Sequence, residues 1–179
     1  MELEIGMGRS HYLFERAIAH PNEQFIGIEW KASWVKQAQA RKEREAISNI
    51  TPIYGNAWLL VPDMFEPDSI DQVTVNFPDP WWKKRHHKRR VLSDTFVDVL
   101  ISKLKIGGVI FLQTDVAALY DEYFTRLKEH PALVATELNH NPIGARSHRE
   151  KKCEENGVPI YRAIFTKLQE QSSMPLSTS

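Results

Sequence analysis

Apolar and polar positions along the chain alternate in a pattern that predicts strands separated by helices. Short apolar runs predict seven strands, at residues 2–5, 25–29, 50–54, 73–75, 109–113, 133–138 and 160–165. Apolar residues at helical spacing, or stretches rich in helix-forming residues, predict helices in most of the intervals between them. The expected helices lie at about 13–18, 31–46, 58–61, 94–104 and 116–128. Gly107 and Gly108 are expected to end the helix at 94–104.

This alternation predicts an α/β fold with a mostly parallel, doubly wound sheet. Residues 1–168 fit a single domain, and the polar residues 169–179 are expected to form a disordered tail. Pro52 favours an edge position for the third strand. Residues 139–157 are long, polar and charged, which predicts a mobile functional loop without a helix. The last two strands would then form an antiparallel pair at one edge, and ligands would bind at the carboxyl ends of the parallel strands.

The composition indicates a protein of the cell interior. The chain has 179 residues, of which 42% are apolar, and no apolar run approaches the ~20 residues that a membrane span needs. The single cysteine, Cys153, excludes an intramolecular disulfide and fits a reducing compartment. It lies in the polar loop among Lys and Glu, so we interpret it as incidental rather than as a nucleophile. We therefore expect a cytoplasmic protein with no membrane partner.

Positive charge is concentrated in one stretch of the sequence. Residues 83–90 contain six Lys or Arg and two His without an acid, so the remainder of this chain of net charge +0 sums to −6. A protein with one basic face fits this distribution. Trp81 and Trp82 precede the stretch, and aromatic rings with cations suit the stacked bases and phosphates of RNA. A solvated charged face without a ligand is the alternative interpretation.

A stiff turn, Phe77-Pro78-Asp79-Pro80, joins the fourth predicted strand to this basic stretch. The two prolines restrict the backbone, and Asp79 places one carboxylate at the strand end. With Asn76, the turn resembles the (Asn/Asp)-Pro-Pro-aromatic loop of N-methyltransferases. The alternative is a proline turn that only ends a strand.

The first predicted strand ends in the glycine turn Gly6-Met7-Gly8, where a ligand can approach the backbone. Glu29 ends the second strand 21 residues after Gly8, which is the spacing of an acid that binds ribose hydroxyls. A nucleoside-containing cofactor is therefore predicted. His11 occupies the place of the third glycine of a dinucleotide site, and Glu4 would repel a pyrophosphate. A carboxylate suits the cationic methionine end of S-adenosylmethionine, which we favour over NAD.

Five further polar residues allow both a structural and a functional interpretation. Asn56 follows the third strand. Thr114 and Asp115 follow the fifth, where they can cap a helix or contact a substrate. Ser147 and Glu150 have the spacing of a capping box but could also reach into a site, and spacing alone favours the cap.

Taken together, these residues resemble the bacterial tRNA (guanine-N7-)-methyltransferase family of the TrmB type, from about residue 4 to residue 167. The matching motifs are Phe77-Pro-Asp-Pro-Trp81 with Lys83 and residues 85–90, Glu4-Ile-Gly-Met-Gly8, Gly27-Ile-Glu29, Thr114-Asp115 and Gly157-Val-Pro-Ile-Tyr-Arg162. The resemblance implies a class I, Rossmann-like methyltransferase that moves a methyl group from S-adenosylmethionine to N7 of a guanine in the tRNA variable loop. The sequence itself predicts no metal site, because His86 and His87 are adjacent and lack a third ligand, and it leaves both a monomer and a homodimer open.

The resemblance also assigns roles to individual residues, with Asp79 as the catalytic residue. The cofactor site would contain Glu4, Gly6, Gly8, Glu29, Asn56 and Asp79. The substrate would contact Lys83, Asp115, Ser147 and Glu150. The last two match a Thr-x-x-Glu substrate motif of the family, which replaces the interpretation of them as a helix cap only. RNA would bind Arg85, His86, His87, Lys88, Arg89 and Arg90. Guanine N7 carries no proton, so Asp79 would orient groups and stabilise charge, while Asp115 or Glu150 would accept from guanine N1–H and its 2-amino group.

The chain departs from the family pattern at three positions. Ser10 replaces a third glycine, Asn56 replaces an aspartate that would accept from the adenine amino group, and Ser147 replaces a threonine. Relatives usually carry a segment before the first strand, so a truncated chain would lose RNA contacts or a covering helix. Two other functions stay open, namely methylation of a small molecule or protein, which has no use for six clustered cations, and RNA binding without turnover.

Overall fold

The computed structural model describes residues 1–169, apart from the side chains of Lys84, Lys88 and Arg89, and the tail predicted at 169–179 lies outside the described residues except for Gln169. In this part of the chain seven strands alternate with six α-helices. The strands are β1 (Glu2–Ile5), β2 (Phe25–Glu29), β3 (Ile50–Tyr54), β4 (Ile70–Asn76), β5 (Leu104–Thr114), β6 (Leu133–Leu138) and β7 (Tyr161–Lys167). The helices are α1 (His11–Ala19), α2 (Ala32–Arg44), α3 (Ala57–Met64), α4 (Asp94–Lys103), α5 (Ala117–Lys128) and α6 (His148–Glu155).

All seven strands form one sheet in the order β3-β2-β1-β4-β5-β7-β6. Strands β1 to β5 pair in parallel, as the alternation of strands and helices predicts. The edge position of β3, which Pro52 favours, is confirmed. The antiparallel pair is confirmed as well: β7 runs against both of its neighbours, and β6 forms the edge. The chain order of the sheet reverses between β1 and β4, which is where ligands bind in sheets of this kind.

Buried apolar side chains cover both faces of the sheet. Phe25 and Ile28 are both buried but lie three residues apart on β2, so they point to opposite faces. Phe25 packs with apolar residues of α1 and α2, whereas Ile28 belongs to the larger cluster that includes residues of α3, α4 and α5. Each fully buried side chain of this size contributes about 1.5–3 kcal/mol of burial free energy. Helical spacing predicts that the Ile18 side chain points into the core, but this side chain is exposed.

Gly107 and Gly108 do not end a helix, contrary to the sequence prediction. Helix α4 ends at Lys103, and β5 begins directly after it and runs through both glycines. The pairing of β4 with β5 changes register here. A Cβ atom on Gly108 would lie 2.8 Å from the Lys105 carbonyl oxygen and 3.1 Å from that of Ile70. Glycine therefore permits the close approach of two strands at an irregular pairing.

The prediction of a mobile loop without a helix at residues 139–157 is wrong for its second half, because residues 148–155 form α6. Ser147 and Glu150 form a complete capping box at its start, which satisfies two backbone N–H groups of the first turn. Cys153 consequently lies on a helix and is buried. The start of α5 also differs from the predicted cap at Thr114 and Asp115, because the N-cap residue is Val116. The Thr114 hydroxyl accepts a hydrogen bond from the Val116 N–H at 3.2 Å.

Candidate active site

The parallel strands bring the predicted cofactor and substrate residues to one edge of the sheet. Glu29 and Asn76 are the last residues of β2 and β4, and Gly6, Asn56 and Asp115 directly follow or nearly follow β1, β3 and β5. Parallel strands end on the same side of a sheet, so distant sequence segments meet there. This edge is the candidate active site.

Glu29 holds the glycine turn in place. Its Oε2 atom accepts a hydrogen bond from the Gly8 N–H at 3.0 Å, and its Oε1 atom accepts from the Lys31 N–H at 2.9 Å. Gly6 and Gly8 have φ angles of 75° and 51°, which glycine adopts without strain. No atom lies within 4 Å of the place of a Cβ on Gly6, so the turn offers open backbone. Each Glu29 oxygen keeps one further acceptor position for a hydroxyl group.

Glu4 is a buried carboxylate with one unpaired oxygen. It is 1% exposed, its Oε1 atom accepts from the Asn76 side chain at 2.9 Å, and its Oε2 atom has no partner among the described residues. Burial raises the pKa of Glu4 well above its ordinary value, and the carboxylates of Glu2 and Glu29 raise it further. An unpaired oxygen of this kind is suited to a cationic group. This buried acceptor therefore fits the cationic methionine end of S-adenosylmethionine.

A chain of buried polar side chains leads from Glu4 across the sheet to α6. Asn76 accepts from the Gln113 amide at 2.7 Å, and the same Gln113 nitrogen donates to Glu150 at 2.8 Å. Arg162 donates to Gln113 at 3.0 Å and to Glu150 at 3.0 Å. We call this set the buried relay. Sequence analysis assigns no role to two of its members, Gln113 and Arg162. Only the strand register brings them side by side with Asn76.

Glu150 lies at the end of the buried relay and is 0% exposed. Its Oε1 atom accepts from Arg162 and from Asn141 at 2.9 Å, and its Oε2 atom accepts from Gln113 and from the Ser147 N–H at 3.3 Å. A carboxylate has about four acceptor positions, and all of them are used. A guanine could bond to Glu150 only if one of these donors moved, so its substrate role stays a prediction. Ser147 accepts from the Glu150 N–H as the N-cap.

The turn that carries Asp79 is fixed at both ends. The Phe77 N–H donates to the Gln113 carbonyl at 2.8 Å, and the Arg90 Nε atom donates to the Pro80 carbonyl at 2.9 Å. Phe77 and Trp81, on either side of the turn, have φ angles of 47° and 45°. Such left-handed conformations cost non-glycine residues about 1–2 kcal/mol each. Asp79 itself is exposed at the site edge, where its carboxylate can face a ligand.

Arg90, which the sequence predicts to bind RNA, makes structural contacts within the protein. Its guanidinium is ion-paired with Glu122 of α5, and its side chain is 12% exposed. Together with the bond to Pro80, this pair holds the basic stretch against the body of the protein. A charge run in a sequence does not reveal which of its cations meets an acid 32 residues later. Arg90 therefore has a structural role, and its contact with RNA stays a prediction.

The other basic residues form a short 3₁₀ helix at Lys84–Arg89, and Lys83 directly precedes it. Lys83, Arg85 and His87 are exposed, and the His86 ring meets Trp81 edge to face at 5.8 Å. The side chains of Lys88 and Arg89 lie outside the described part of the structure. Trp82 is exposed beside them. The predicted RNA-binding stretch is thus a short turn whose described basic side chains are exposed or half-buried.

Asp115, the predicted substrate residue after β5, is already paired. Its carboxylate forms an ion pair with Arg149 of α6, while Arg149 itself remains more than half exposed. Cys153 lies close by, and burial together with the Asp115 carboxylate raises the pKa of the Cys153 thiol. A raised pKa lowers the thiolate fraction, which agrees with the interpretation of Cys153 as incidental.

Asn56 caps α3, a role that sequence analysis did not consider. Its side-chain oxygen accepts from the Trp58 N–H at 3.0 Å, and the residue is exposed. Two aromatic rings near it were also missed: Trp30 follows Glu29 and is 66% exposed, and Tyr54 ends β3 and is 62% exposed. Exposed rings beside Glu29, the acid predicted to bind ribose, suit a flat base. A single aromatic residue after a strand gives little sequence signal, so only their exposure at this edge identifies them.

Within residues 1–169, no three His, Cys, Asp or Glu side chains are grouped so that they could hold a metal ion. No helix in the same part of the chain has the length and apolar character needed to cross a membrane.

Known proteins share both the sequence pattern and the fold. A family model described as "Putative methyltransferase" matches residues 1–163. A tRNA (guanine-N(7)-)-methyltransferase from Synechococcus sp. (strain JA-3-3Ab) is 34% identical over 165 residues, covering 90% of this chain and 70% of that protein. Another from Myxococcus xanthus (strain DK1622) is 33% identical, covering 93% and 83%. The structure of precorrin-6y C5,15-methyltransferase from Geobacter metallireducens GS-15 is similar with a TM-score of 0.62 and 18% identity, covering 93% and 79%.

Proposed function

This chain belongs to the bacterial tRNA (guanine-N7-)-methyltransferase family, and we propose that the guanine it methylates lies in the tRNA variable loop. Its reaction is the transfer of a methyl group from S-adenosylmethionine to N7 of a guanine in tRNA. One observation supports this function most directly. The basic stretch 83–90 follows the end of β4, at the edge of the sheet where Glu4 and Glu29 offer acids to a cofactor.

We assign the cofactor to the ends of β1, β2 and β4. Glu4 would pair with its cationic part, the turn Gly6 to Gly8, which is open at Gly6, would lie beside it, and Glu29 would accept from the ribose hydroxyls. The exposed ring of Trp30 would cover the adenine. The Asn56 oxygen, although it already accepts from Trp58, keeps one acceptor position for the adenine amino group.

The protein's part in the reaction is to orient the guanine and stabilise charge. S-adenosylmethionine, when bound, supplies a methyl group on a cationic sulfur that the N7 lone pair can accept without loss of a proton. Asp79 therefore needs no proton-accepting role, and its carboxylate stabilises positive charge on the methylated guanine. Asp115 would accept from the N1–H and 2-amino group of guanine, which adenine does not present as a pair. Alignment of the two reactants supplies up to about 7–11 kcal/mol in favourable cases.

The exposed cations of the basic stretch would bind tRNA phosphates, and Trp82 would stack on a base. Because tRNA is the substrate, we propose a cytoplasmic location. We propose that each chain carries its own cofactor and substrate residues, whether the working unit is a monomer or a homodimer.

The proposed target is tested with two tRNA transcripts that differ at one position. The purified protein is incubated with S-adenosylmethionine and either a tRNA with a variable-loop guanine or the same tRNA with adenine there. 7-Methylguanosine is then quantified by mass spectrometry after digestion. We expect product from the first transcript and none from the second. Equal product from both would place the methylated guanine elsewhere in tRNA, and no product from either, with tRNA binding intact, would indicate RNA binding without turnover.

Replacing Asp79 with asparagine should lower kcat about tenfold. An exposed carboxylate near a developing positive charge contributes on the order of 1 kcal/mol or slightly more, and the amide keeps the shape of the side chain but removes the charge. Single-turnover rates with saturating tRNA and cofactor measure the effect. Asp63→Asn is the control, because Asp63 is also exposed but lies near the carboxyl end of α3, away from the strand ends. Full activity in Asp79→Asn with a normal fold would remove Asp79 from the mechanism.

Replacing Arg149 with alanine should lower the KM for tRNA about two- to fivefold. The guanidinium competes for the carboxylate that a guanine would use, and an exposed ion pair of this kind is worth up to about 1 kcal/mol. Arg146→Ala is the matched control, since Arg146 is similarly exposed in the neighbouring loop but pairs with Glu154. Steady-state kinetics compare the two variants. A larger KM in Arg149→Ala than in Arg146→Ala would mean that Arg149 binds tRNA itself.

A further inference from the structure

The buried relay connects two regions that have separate roles in the proposed function. At one end, Glu4 faces the proposed cofactor position with an unpaired oxygen. At the other end, Glu150 lies in the first turn of α6, next to Arg149 and its ion pair with Asp115. Only two amide side chains, Asn76 and Gln113, lie between the two carboxylates.

The direction of every hydrogen bond in the buried relay is fixed by the Arg162 guanidinium, which can only donate. The Gln113 oxygen accepts from Arg162, so the Gln113 amide nitrogen must donate to Glu150 and to Asn76. The Asn76 oxygen is thereby occupied, and the Asn76 nitrogen is left to donate to Glu4. Turning either amide would place donors against donors in a buried site, which is unfavourable. The relay therefore has one favourable arrangement of its two amides, and a change in hydrogen bonding at one end alters the other end.

We propose that Asn76 and Gln113 are positioning residues that join the cofactor site at Glu4 to the substrate helix α6, so that cofactor binding strengthens tRNA binding. This inference rests on the proposed function. A cation beside the free oxygen of Glu4 keeps the carboxylate ionised, which strengthens the bond from Asn76. A polarised Asn76 amide accepts a stronger hydrogen bond from Gln113. Gln113 in turn donates to Glu150 and so restrains the first turn of α6. Helix α6 carries Arg149, which must release Asp115 before a guanine can bind.

The coupling is measured as the ratio of two dissociation constants for tRNA, without and with saturating S-adenosylhomocysteine. In the natural protein we expect cofactor product to tighten tRNA binding about fivefold or more, as is typical of coupled sites. In Gln113→Leu the ratio should fall to nearly one, because leucine has a similar volume but no polar group. Catalysis is not part of this measurement.

Gln72→Leu is the matched control. Gln72 lies on β4 and points to the same face of the sheet as Asn76, and its amide donates to Glu2 at 3.1 Å and to Thr74 at 2.9 Å. This second polar cluster holds α1 through Tyr12 and Arg16, and none of the hydrogen bonds described for its members reaches a residue of α6. Helix α1 contacts α6 separately, through the ion pair of Glu15 with Lys151. We expect Gln72→Leu to keep the full ratio. A loss of coupling in Gln72→Leu as large as in Gln113→Leu would make the effect one of general stability and overturn the proposal.

Amide hydrogen exchange of the natural protein tests the same inference without a variant. Addition of S-adenosylhomocysteine should slow exchange of residues 148–155 several-fold. Unchanged exchange there would overturn the inference, and so would an unchanged ratio in Gln113→Leu. The exchange experiment decides the matter alone if Gln113→Leu proves too unstable to assay. Failure of the proposed function is distinguished by the transcript assay: a protein that forms 7-methylguanosine but shows no coupling keeps its function and lacks the relay effect.

Discussion

Replacing Arg162 with methionine should lower the free energy of unfolding by about 3–5 kcal/mol, as is typical when one partner of a buried ion pair is removed. Arg162 is 8% exposed and donates to Glu150, which is fully buried, and to Gln113. Methionine fills most of the volume but leaves the Glu150 charge without a cation. A loss of this size is a large part of the 5–15 kcal/mol that stabilises a typical domain. Equilibrium unfolding in urea measures it.

Two further variants show whether the unpaired charge is the cause. Adding Glu150→Gln to Arg162→Met should recover at least half of the loss, because the double variant buries no charge. Arg44→Met should change the free energy of unfolding by less than about 1 kcal/mol, because Arg44 forms an exposed pair with Glu45. If Arg162→Met were as mild as Arg44→Met, the pair with Glu150 would have no special stabilising role.

Replacing Glu4 with glutamine should weaken S-adenosylhomocysteine binding about 10- to 100-fold. The lost contact is a hydrogen bond to a charged group, worth about 1.5–3 kcal/mol, and 1.4 kcal/mol corresponds to a factor of ten. Stability should not fall, because the glutamine oxygen can still accept from Asn76 and an uncharged amide is less costly to bury. Titration calorimetry and urea unfolding measure the two quantities. Lower stability with unchanged binding would assign Glu4 to the fold alone.

The same carboxylate predicts how binding changes with pH in the unsubstituted protein. Burial raises the pKa of Glu4 in the cofactor-free protein, with Glu2 and Glu29 adding to the effect. A cationic ligand favours the ionised form, so at pH values below the raised pKa binding must release a proton. Affinity should therefore rise with pH and level off above that pKa, and Glu4→Gln should abolish this part of the dependence. Calorimetry in buffers of different ionisation enthalpy counts the proton; release of none would contradict the assignment.

The strand pattern was predictable because its signal is local. The apolar runs at residues 25–29, 50–54 and 133–138 coincide with β2, β3 and β6. Helix α6 was not predictable from the same signal, because it buries only Glu150 and Cys153 and has no apolar stripe. Packing through polar side chains stabilises it instead. A hydrophobic pattern does not reveal a helix of this kind.

Candidate site residues were predictable where motif and strand end coincide. Glu4 and Glu29 lie at the expected edge because they stand at or near the last residue of β1 and of β2. Asp79 lies there because it belongs to the turn that follows β4. The roles of Gln113 and Arg90 were not predictable, because each depends on a partner far away in sequence: Glu150 for the first and Glu122 for the second. Long-range side-chain pairs follow from register and helix packing, which a single sequence does not specify.

The two fixed ends of the basic stretch have a consequence for the entropy of tRNA binding. A free loop would lose about 1–2 kcal/mol of backbone conformational entropy for each residue that RNA orders. Here the Phe77 bond to Gln113 and the Arg90 pair with Glu122 restrict the chain from both sides, and a 3₁₀ helix occupies the space between them. Most of that ordering takes place when the protein folds. The free energy of the proposed phosphate contacts is then available for affinity. We expect a sequence that loosened the Arg90 pair to bind tRNA more weakly, although it kept every other cation.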